Sequence, residues 1–315
     1  MQKALLKLKV TLIISAILFL GFSSPAKSDE GWPRSVKDAF GRECVLDAPP
    51  KRIVTVFASN TMLIYSLGLT DLIVGIDALT FFPPEINKVP KIGGRLGISL
   101  EQVVARKPDL VLLTPARQAA HTLLAPLTSL HIPNMVLTSR DVKEIEDNLR
   151  RVAYITGTVE KGEEVIQDME DRLLKVKLDR EGKKWPRVVL ITAKLSSGLF
   201  LVSRKGEYTS SIVELAGGIL ALDEQDEQRS ALRISQISPE ALIALDPDII
   251  IVTRRRDEGT ELYDYLQEPS FSQLKAQKDD QIHVVPSAEF LIPAPTVVDG
   301  VERLSVIFDR WNTLQ

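Results

Sequence analysis

The sequence predicts an α/β protein built in two halves and joined by one long helix. Three observations carry that expectation. Short apolar, β-branched runs alternate with helical stretches of about ten to fifteen residues, the pattern of parallel βαβ units. From Glu160 to Arg180 the chain has one glycine, Gly162, and no proline, while Ile166, Met169, Leu173 and Val176 recur at helical spacing. A segment at residues 99–113 has a counterpart at residues 238–252, one on each side of that helix.

The first thirty residues differ in kind from the rest. Lys3, Lys7 and Lys9 precede an apolar run from Val10 to Phe22, and Ser23, Ser24, Pro25 and Ala26-Lys27-Ser28 follow it. This is the layout of a cleavable signal peptide, assigned here to residues 1–28, with Asp29 opening the mature chain. The apolar run falls short of the roughly 20 residues that a permanent membrane-spanning helix needs. The sole cysteine, Cys44, stands well past the cleavage point, so neither a lipid anchor nor an intramolecular disulfide is expected. A free periplasmic protein of a Gram-negative bacterium is the natural inference. Loss of Lys3, Lys7, Lys9 and Lys27 makes the mature chain more acidic than the formal −3 of the whole. A basic face for nucleic acid is therefore not expected. With 44% hydrophobic and 26% charged residues, the remainder has the composition of a packed globular protein.

Along the mature chain, Arg52–Phe57 reads as a buried strand and Asn60–Leu67 as a helix stopped by Gly68. Strands follow at 72–76, 110–113 and 135–137, with helices from about Ser99, from Gln118 to Leu130, and from Asp141 onward. Residues 29–158 thus form an N-terminal α/β lobe and residues 159–184 the interlobe helix. At ~1.5 Å per residue that helix is roughly 30 Å long, enough to reach from one lobe into the next. Gly182-Lys183-Lys184-Trp185-Pro186 breaks the helical pattern, and a strand from Arg187 to Thr192 opens a C-terminal α/β lobe at residues 185–315.

The repeat explains itself physically. Ser99 and Ser238 are helix N-caps, Pro239 suits a first helical position, and Glu101 and Glu240 fall in the first turn, where the helix dipole favours negative charge. Pro108-Asp109 and Pro247-Asp248 then end each helix and start a strand. Two equivalent carboxylates, one per half, also suit a bipartite docking pair for a two-fold symmetric partner that carries basic residues.

These segments, together with Asp38-Ala39-Phe40-Gly41-Arg42-Glu43, Pro49-Pro50-Lys51-Arg52-Ile53-Val54, Ser59-Asn60-Thr61, Leu67-Gly68-Leu69, Val74-Gly75, Gly93-Gly94, Leu215-Ala216-Gly217-Gly218 and Pro295-Thr296-Val297-Val298-Asp299-Gly300-Val301-Glu302, run through nearly the whole mature chain. In that order they resemble the periplasmic substrate-binding proteins of ABC transporters for iron siderophores, haem and cobalamin. The resemblance implies two Rossmann-like lobes joined by a single long backbone helix, with the ligand cleft between them and limited closure. It places the family's permease-docking glutamates at Glu101 and Glu240, opposite arginines of the ABC permease subunits. Met62 departs from the pattern, since many relatives carry a glutamate there.

Loops at the carboxyl ends of strands should line the cleft. They offer Ser59, Asn60, Phe81, Phe82, Arg117 and Arg254. The family resemblance adds Arg95, Tyr208, Arg229, Arg233 and Phe290. A guanidinium fork suits carboxylate or catecholate oxygens and keeps its charge on partial burial, so these arginines favour an anionic ferric siderophore as the metal-chelate cargo. Phe82-Pro83-Pro84 resembles a Tyr-Pro-Pro segment of cobalamin-binding relatives, yet Trp32, Trp185 and Trp311 all lie outside the expected cleft. Haem stays open as well, with Tyr208 or His121 as the iron ligand. His121, His131 and His283 are too scattered for a bare-metal site, and no cofactor is expected. The chain has no dinucleotide fingerprint after its first strand, no phosphate loop and no nucleophile elbow, so catalysis is not expected. A monomer is expected, and a cleft-closing sensory receptor is the rival reading outside transport.

Overall fold

Two parallel-cored sheets organise the chain in the computed structural model, which describes residues 31–94, 97–115, 119–222 and 236–315. An antiparallel hairpin, β1 (Arg34–Lys37) and β2 (Glu43–Leu46), leads into the first sheet. That sheet has the order β4-β3-β7-β8, all parallel, with β3 Ile53–Thr55, β4 Ile73–Ile76, β7 Leu110–Leu113 and β8 Asn134–Val136. A two-residue pair, β5 (Gly93–Gly94) and β6 (Gly97–Ile98), stands apart from it. Helices α1 (Ala58–Ser66), α2 (Leu100–Ala105), α3 (Ala119–Ser129) and α4 (Val142–Thr156) connect these strands and lead out of them. After α5 (Val159–Asp179) the second sheet runs β12-β10-β9-β13-β14. Its strands are β9 Arg187–Lys194, β10 Phe200–Val202, β12 Gln236–Ile237, β13 Ile249–Arg254 and β14 Ile282–Pro286, with β11 (Ile219–Leu220) paired to the start of β9. Around it lie α6 (Tyr208–Leu215), α7 (Pro239–Leu245), α8 (Glu261–Leu266), α9 (Lys275–Lys278), α10 (Ser287–Leu291) and α11 (Val297–Thr313).

Strict alternation along the central strands divides the interior. Leu110 and Leu112 enter one core with Ile53, while Val111 and Leu113 enter another with Val54 and Val56. Val188, Leu190, Ile249 and Ile251 likewise face α5, α6 and α11, whereas Val189, Ile191, Ile250 and Val252 face α7 and α8. Successive side chains of a strand point to opposite faces, so a sheet covered by helices on both sides needs unbroken apolar runs. The runs Leu110–Leu113 and Ile249–Val252 meet that need.

The two halves share a device that the internal repeat only half announces. The Asp109 carboxylate accepts from the backbone N–H groups of Lys51 (2.7 Å) and Arg52 (2.9 Å), and Asp109 N donates back to Arg52 O (2.9 Å). In the second half, the Asp248 carboxylate accepts from Arg187 N (2.9 Å) and Asp248 N donates to Arg187 O (2.9 Å). Each arginine then turns its guanidinium onto the carbonyls that end the preceding helix: Arg52 to Arg106 O at 2.6 Å, Arg187 to Asp246 O at 3.1 Å. The Pro-Asp pairs therefore lock the amino end of each half's first parallel strand, satisfying groups that the helix ends leave open.

Two helices, where one was expected, cross between the halves. The long helix α5 seats Ile166 in a core of the first half and Met169 and Val176 in a core of the second. It ends beside Arg180, whose guanidinium binds the carbonyls of Lys184 (2.8 Å) and Gly217 (3.4 Å) close to the start of β9. The first turn of α4, just after β8, places Val142 and Ile145 in the second half's core, while its later turns place Leu149, Val152 and Ile155 in the first. The carboxyl ends of the first sheet therefore border the second half. The amino end of β9 lies at the far end of α5.

Local chemistry sets the helix ends. Asp141 caps α4 by accepting from Glu144 N at 2.8 Å, and Gly157 closes it in the left-handed conformation at φ 82°. Gly162 serves a different purpose: a Cβ there would stand 2.5 Å from Ala153 Cβ, so its bare backbone lets α4 and α5 approach. Gly162→Ala gains about 1 kcal/mol of helix propensity but forces an overpacked contact worth about 1–3 kcal/mol. The net expectation is destabilisation of up to about 2 kcal/mol, read as a fall of up to about 4 °C in thermal unfolding; a raised midpoint would contradict the close approach.

Candidate functional site

The junction is lined on the first half by the ends of β3, β4 and β7. Phe57, between β3 and α1, holds a left-handed backbone at φ 77° without being glycine, a conformation that surrounding contacts must enforce. Buried Asp77, just past β4, supplies the enforcement: its carboxylate accepts from Phe57 N (2.8 Å), Leu79 N (2.8 Å) and the Thr80 hydroxyl (2.5 Å). One side chain thus ties the start of α1 to the loop carrying Phe81 and Phe82. Ala78 N also donates to Gly93 O at 2.8 Å, and Lys91 Nζ donates to Thr80 O at 2.8 Å. The loop is rigidly hung, yet Leu79, Phe81 and Phe82 stay exposed, Phe81 at 54%.

On the second half, a cavity of about 350 Å³ opens at the carboxyl ends of β9 and β13, lined by Thr192, Lys194, Thr253, Arg254, Glu258 and Glu261 among others. The Lys194 ammonium sits 3.3 Å from the Tyr265 ring centroid, a cation–π contact that fixes its position. Carboxylates and cations line this space together, so the pocket is polar rather than simply basic.

The twin glutamates occupy matching positions. Both are exposed in the first turn of a short helix, α2 or α7, whose capping serine accepts a backbone N–H: Ser99 from Gln102 N and Ser238 from Ala241 N, each at 3.2 Å. The Ser99 hydroxyl also donates to Glu101 Oε2 at 3.2 Å. Bonding from the Ser238 hydroxyl and from its own backbone N–H lowers the pKa of Glu240, so its carboxylate stays charged. Each helix runs away from the junction, since its far end meets Arg52 or Arg187 at a strand's amino end. Both carboxylates therefore sit at the junction end of their own half.

The remaining residues singled out from the sequence are placed as follows. Ser59 and Asn60 are buried in the first turn of α1, and Asn60 Nδ2 is engaged by Val56 O (2.7 Å) and Thr114 Oγ1 (3.1 Å). Asn60 acts as an internal strut between two strand ends. Arg254 is exposed at the end of β13 and lines the cavity. Tyr208 opens α6 with its hydroxyl donating to Ile292 O at 3.1 Å, and burial raises the pKa of its phenol, which stays protonated. Phe290 corrects the expectation of a cleft residue: it is 0% exposed and packs with Val297, Val298 and Val301, so its ring belongs to the core. Arg95, Arg117, Arg229 and Arg233 lie outside the described residues, as do the signal segment and the side chain of His121.

Sequence reading missed Asp77 and Lys91. The available signal was an aspartate directly after an apolar strand, the place where an Asx turn redirects the chain. Cys44 is buried in β2, and burial beside Asp38 raises its thiol to about 11, so it is inert at neutral pH. Among the described residues no cluster of histidine, cysteine and carboxylate side chains suits a metal ion, and no helix is long and apolar enough to cross a membrane.

Two α/β halves, bridged by α4 and α5, each end in strands whose loops carry the candidate site residues, and this is the fold of a periplasmic binding protein. Residues 53–289 match the periplasmic binding protein family, and the chain belongs to that family. An uncharacterized ABC transporter substrate-binding lipoprotein of Bacillus subtilis, YvrC, is 24% identical over 93% of this chain and 94% of the relative. The vitamin B12-binding protein of Salmonella typhimurium is 28% identical over 68% of this chain and 76% of its own. Among solved structures, the periplasmic heme-binding protein RhuT of Roseiflexus superposes with a TM-score of 0.70 at 23% identity, covering 83% of this chain and 99% of that one. A protein of an ABC-type Fe3+-hydroxamate transport system from Saccharomonospora viridis gives a TM-score of 0.70 at 20% identity, covering 88% and 99%.

Replacing the acceptor at Asp77 should expose what it holds. Asp77→Ala leaves Phe57 N, Leu79 N and the Thr80 hydroxyl without their shared partner, and loss of such charge-assisted bonds costs about 2–4 kcal/mol. Urea unfolding should show that loss; a midpoint within experimental error of the parent would remove Asp77 from its organising position.

Proposed function

We propose that this protein captures a metal-chelate cargo outside the cytoplasmic membrane and hands it to an ABC importer, acting by binding and release without chemistry on the cargo. In this reading residues 29–158 and 185–315 are the two lobes, residues 159–184 the connecting helix, and residues 1–28 a cleaved leader that delivers a free monomer to the periplasm. What supports the reading is that α4 and α5 each enter the cores of both halves, with an exposed aromatic loop after β4 in the first half and a polar cavity edged by Lys194 and Arg254 in the second. Membership of the periplasmic binding protein family supports it, as does a relative named as an ABC transporter substrate-binding lipoprotein.

A ferric siderophore is the cargo that the sequence's arginines favour, because their guanidinium groups match anionic chelator oxygens. A relative of similar fold is named for Fe3+-hydroxamate transport, which fits the same class. Cobalamin is the second reading. It is favoured by the vitamin B12-binding relatives and by the exposed Phe81 and Phe82 before Pro83-Pro84, an apolar surface suited to a corrin. Titration with a ferric siderophore, haemin and cyanocobalamin, followed by absorbance and calorimetry, separates the two. Sub-micromolar binding of the siderophore alone is the expected outcome, and tight binding of cyanocobalamin alone would reverse the ranking.

Docking falls to Glu101 and Glu240, which meet basic residues of the two permease subunits and so read the spacing of the lobes. Glu101→Lys combined with Glu240→Lys should reduce cellular uptake to background while cargo Kd stays within about twofold, since both groups are exposed and neither lines the cavity. Normal uptake by the doubly reversed protein would refute the docking assignment.

A further inference from the structure

Three exposed apolar side chains at the end of β4 are held out by a charged latch that plays no part in the fold's core. Leu79, Phe81 and Phe82 are exposed at 57%, 54% and 39%, while Thr80 between them is fully buried. Water would ordinarily drive such a cluster to collapse onto the protein. Two contacts oppose that. The Thr80 hydroxyl is bound to Asp77, and the Thr80 carbonyl accepts from Lys91 Nζ at 2.8 Å. Lys91 also stands 5.4 Å from the centroid of the Phe81 ring, within cation–π range, so one ammonium pins both the backbone of the loop and the ring it displays. Lys91 comes from the strand-like segment that bridges back to Ile76, a different piece of chain from the loop it holds.

The geometry points to Lys91 as a positioning residue for cargo: by bonding Thr80 O and facing the Phe81 ring, it presets the aromatic loop in the orientation that meets the ligand. This rests on the cargo reading above and deepens it, because it assigns the aromatic side of the junction to a planar or apolar portion of the chelate. Preorganisation lowers the ordering cost of binding and leaves the folded core untouched. Lys91→Met keeps the aliphatic stem and removes the donor and the charge. Lys91→Arg restores both.

The test combines binding with a reporter on the loop itself. The three probes are a ferric catecholate siderophore, haemin and cyanocobalamin, titrated into the parent, Lys91→Met and Lys91→Arg proteins. 4-Fluorophenylalanine incorporation gives a fluorine NMR signal for Phe81, assigned by its loss in Phe81→Leu. In the unliganded protein, Lys91→Met should shift or broaden the Phe81 line and weaken binding of the preferred probe about 5- to 20-fold, with a thermal midpoint within about 2 °C of the parent. Lys91→Arg should recover affinity to within about twofold. Parent-like affinity in Lys91→Met, or weakened binding that follows a loss of thermal stability and is not recovered by arginine, would overturn this inference while leaving the transport reading intact. Failure of the parent protein to bind any of the three probes would instead overturn the cargo reading, and the positioning role with it.

Discussion

The placement of α5 is the constraint on which the rest of the molecule depends. Its apolar stripe has to serve two cores at once, with Ile166 buried in one and Met169 and Val176 in the other. The helix ends beside Arg180, whose bonds to the carbonyls of Lys184 and Gly217 tie its far end to the start of the second sheet. The first turn of α4 makes the same crossing, with Val142 and Ile145 in the second core. Two antiparallel helices packed across Gly162 therefore brace the junction, and Arg172 binds Asp299 and Glu302 of α11 at 2.6 Å to fasten α5 to the second half. Hydrogen bonds from Arg172 hold the Glu302 carboxyl below its usual pKa, which keeps that fastening charged at neutral pH.

Duplication gives the two halves the same skeleton but different surfaces. The Arg52–Asp109 and Arg187–Asp248 clamps repeat the same backbone exchange, and Ser99 and Ser238 cap the same kind of short helix two residues before a glutamate. At the junction the halves diverge. The first presents an apolar loop suspended from Asp77 and Lys91. The second presents a polar cavity edged by Lys194, Arg254 and two glutamates. The two surfaces thus differ in kind, one apolar and one polar with charges of both signs.

Much of the fold was legible in the chain because its signals are local. The strand at Leu110–Leu113, the Ser99 and Ser238 caps, the helix starting at Asp141, the stop at Gly68 and the helix through residues 159–179 all follow from propensity, capping and apolar spacing. The candidate site was legible in part. Phe81, Phe82 and Arg254 stand exposed at strand ends, as the rule for open α/β sheets leads one to expect. Phe290 did not follow, because an aromatic residue after a strand reads the same whether it faces a junction or closes a core. Asp77 offered only a turn signal and Lys91 none, because their distant partners, Phe57 N for Asp77 and Thr80 O for Lys91, lie 20 and 11 residues away and meet them only on folding.

By itself the sequence determined that the chain makes alternating strands and helices, that a similar unit occurs twice, and that each copy carries one glutamate in a capped first turn. These are properties of neighbouring residues, and hydrophobic spacing and backbone chemistry suffice to set them. The tertiary structure alone decided that a second helix crosses the junction, that Phe290 is core, and that a lysine holds the aromatic loop open. Those outcomes depend on which apolar faces meet and which distant donors find a common acceptor, and no local pattern encodes such long-range pairings.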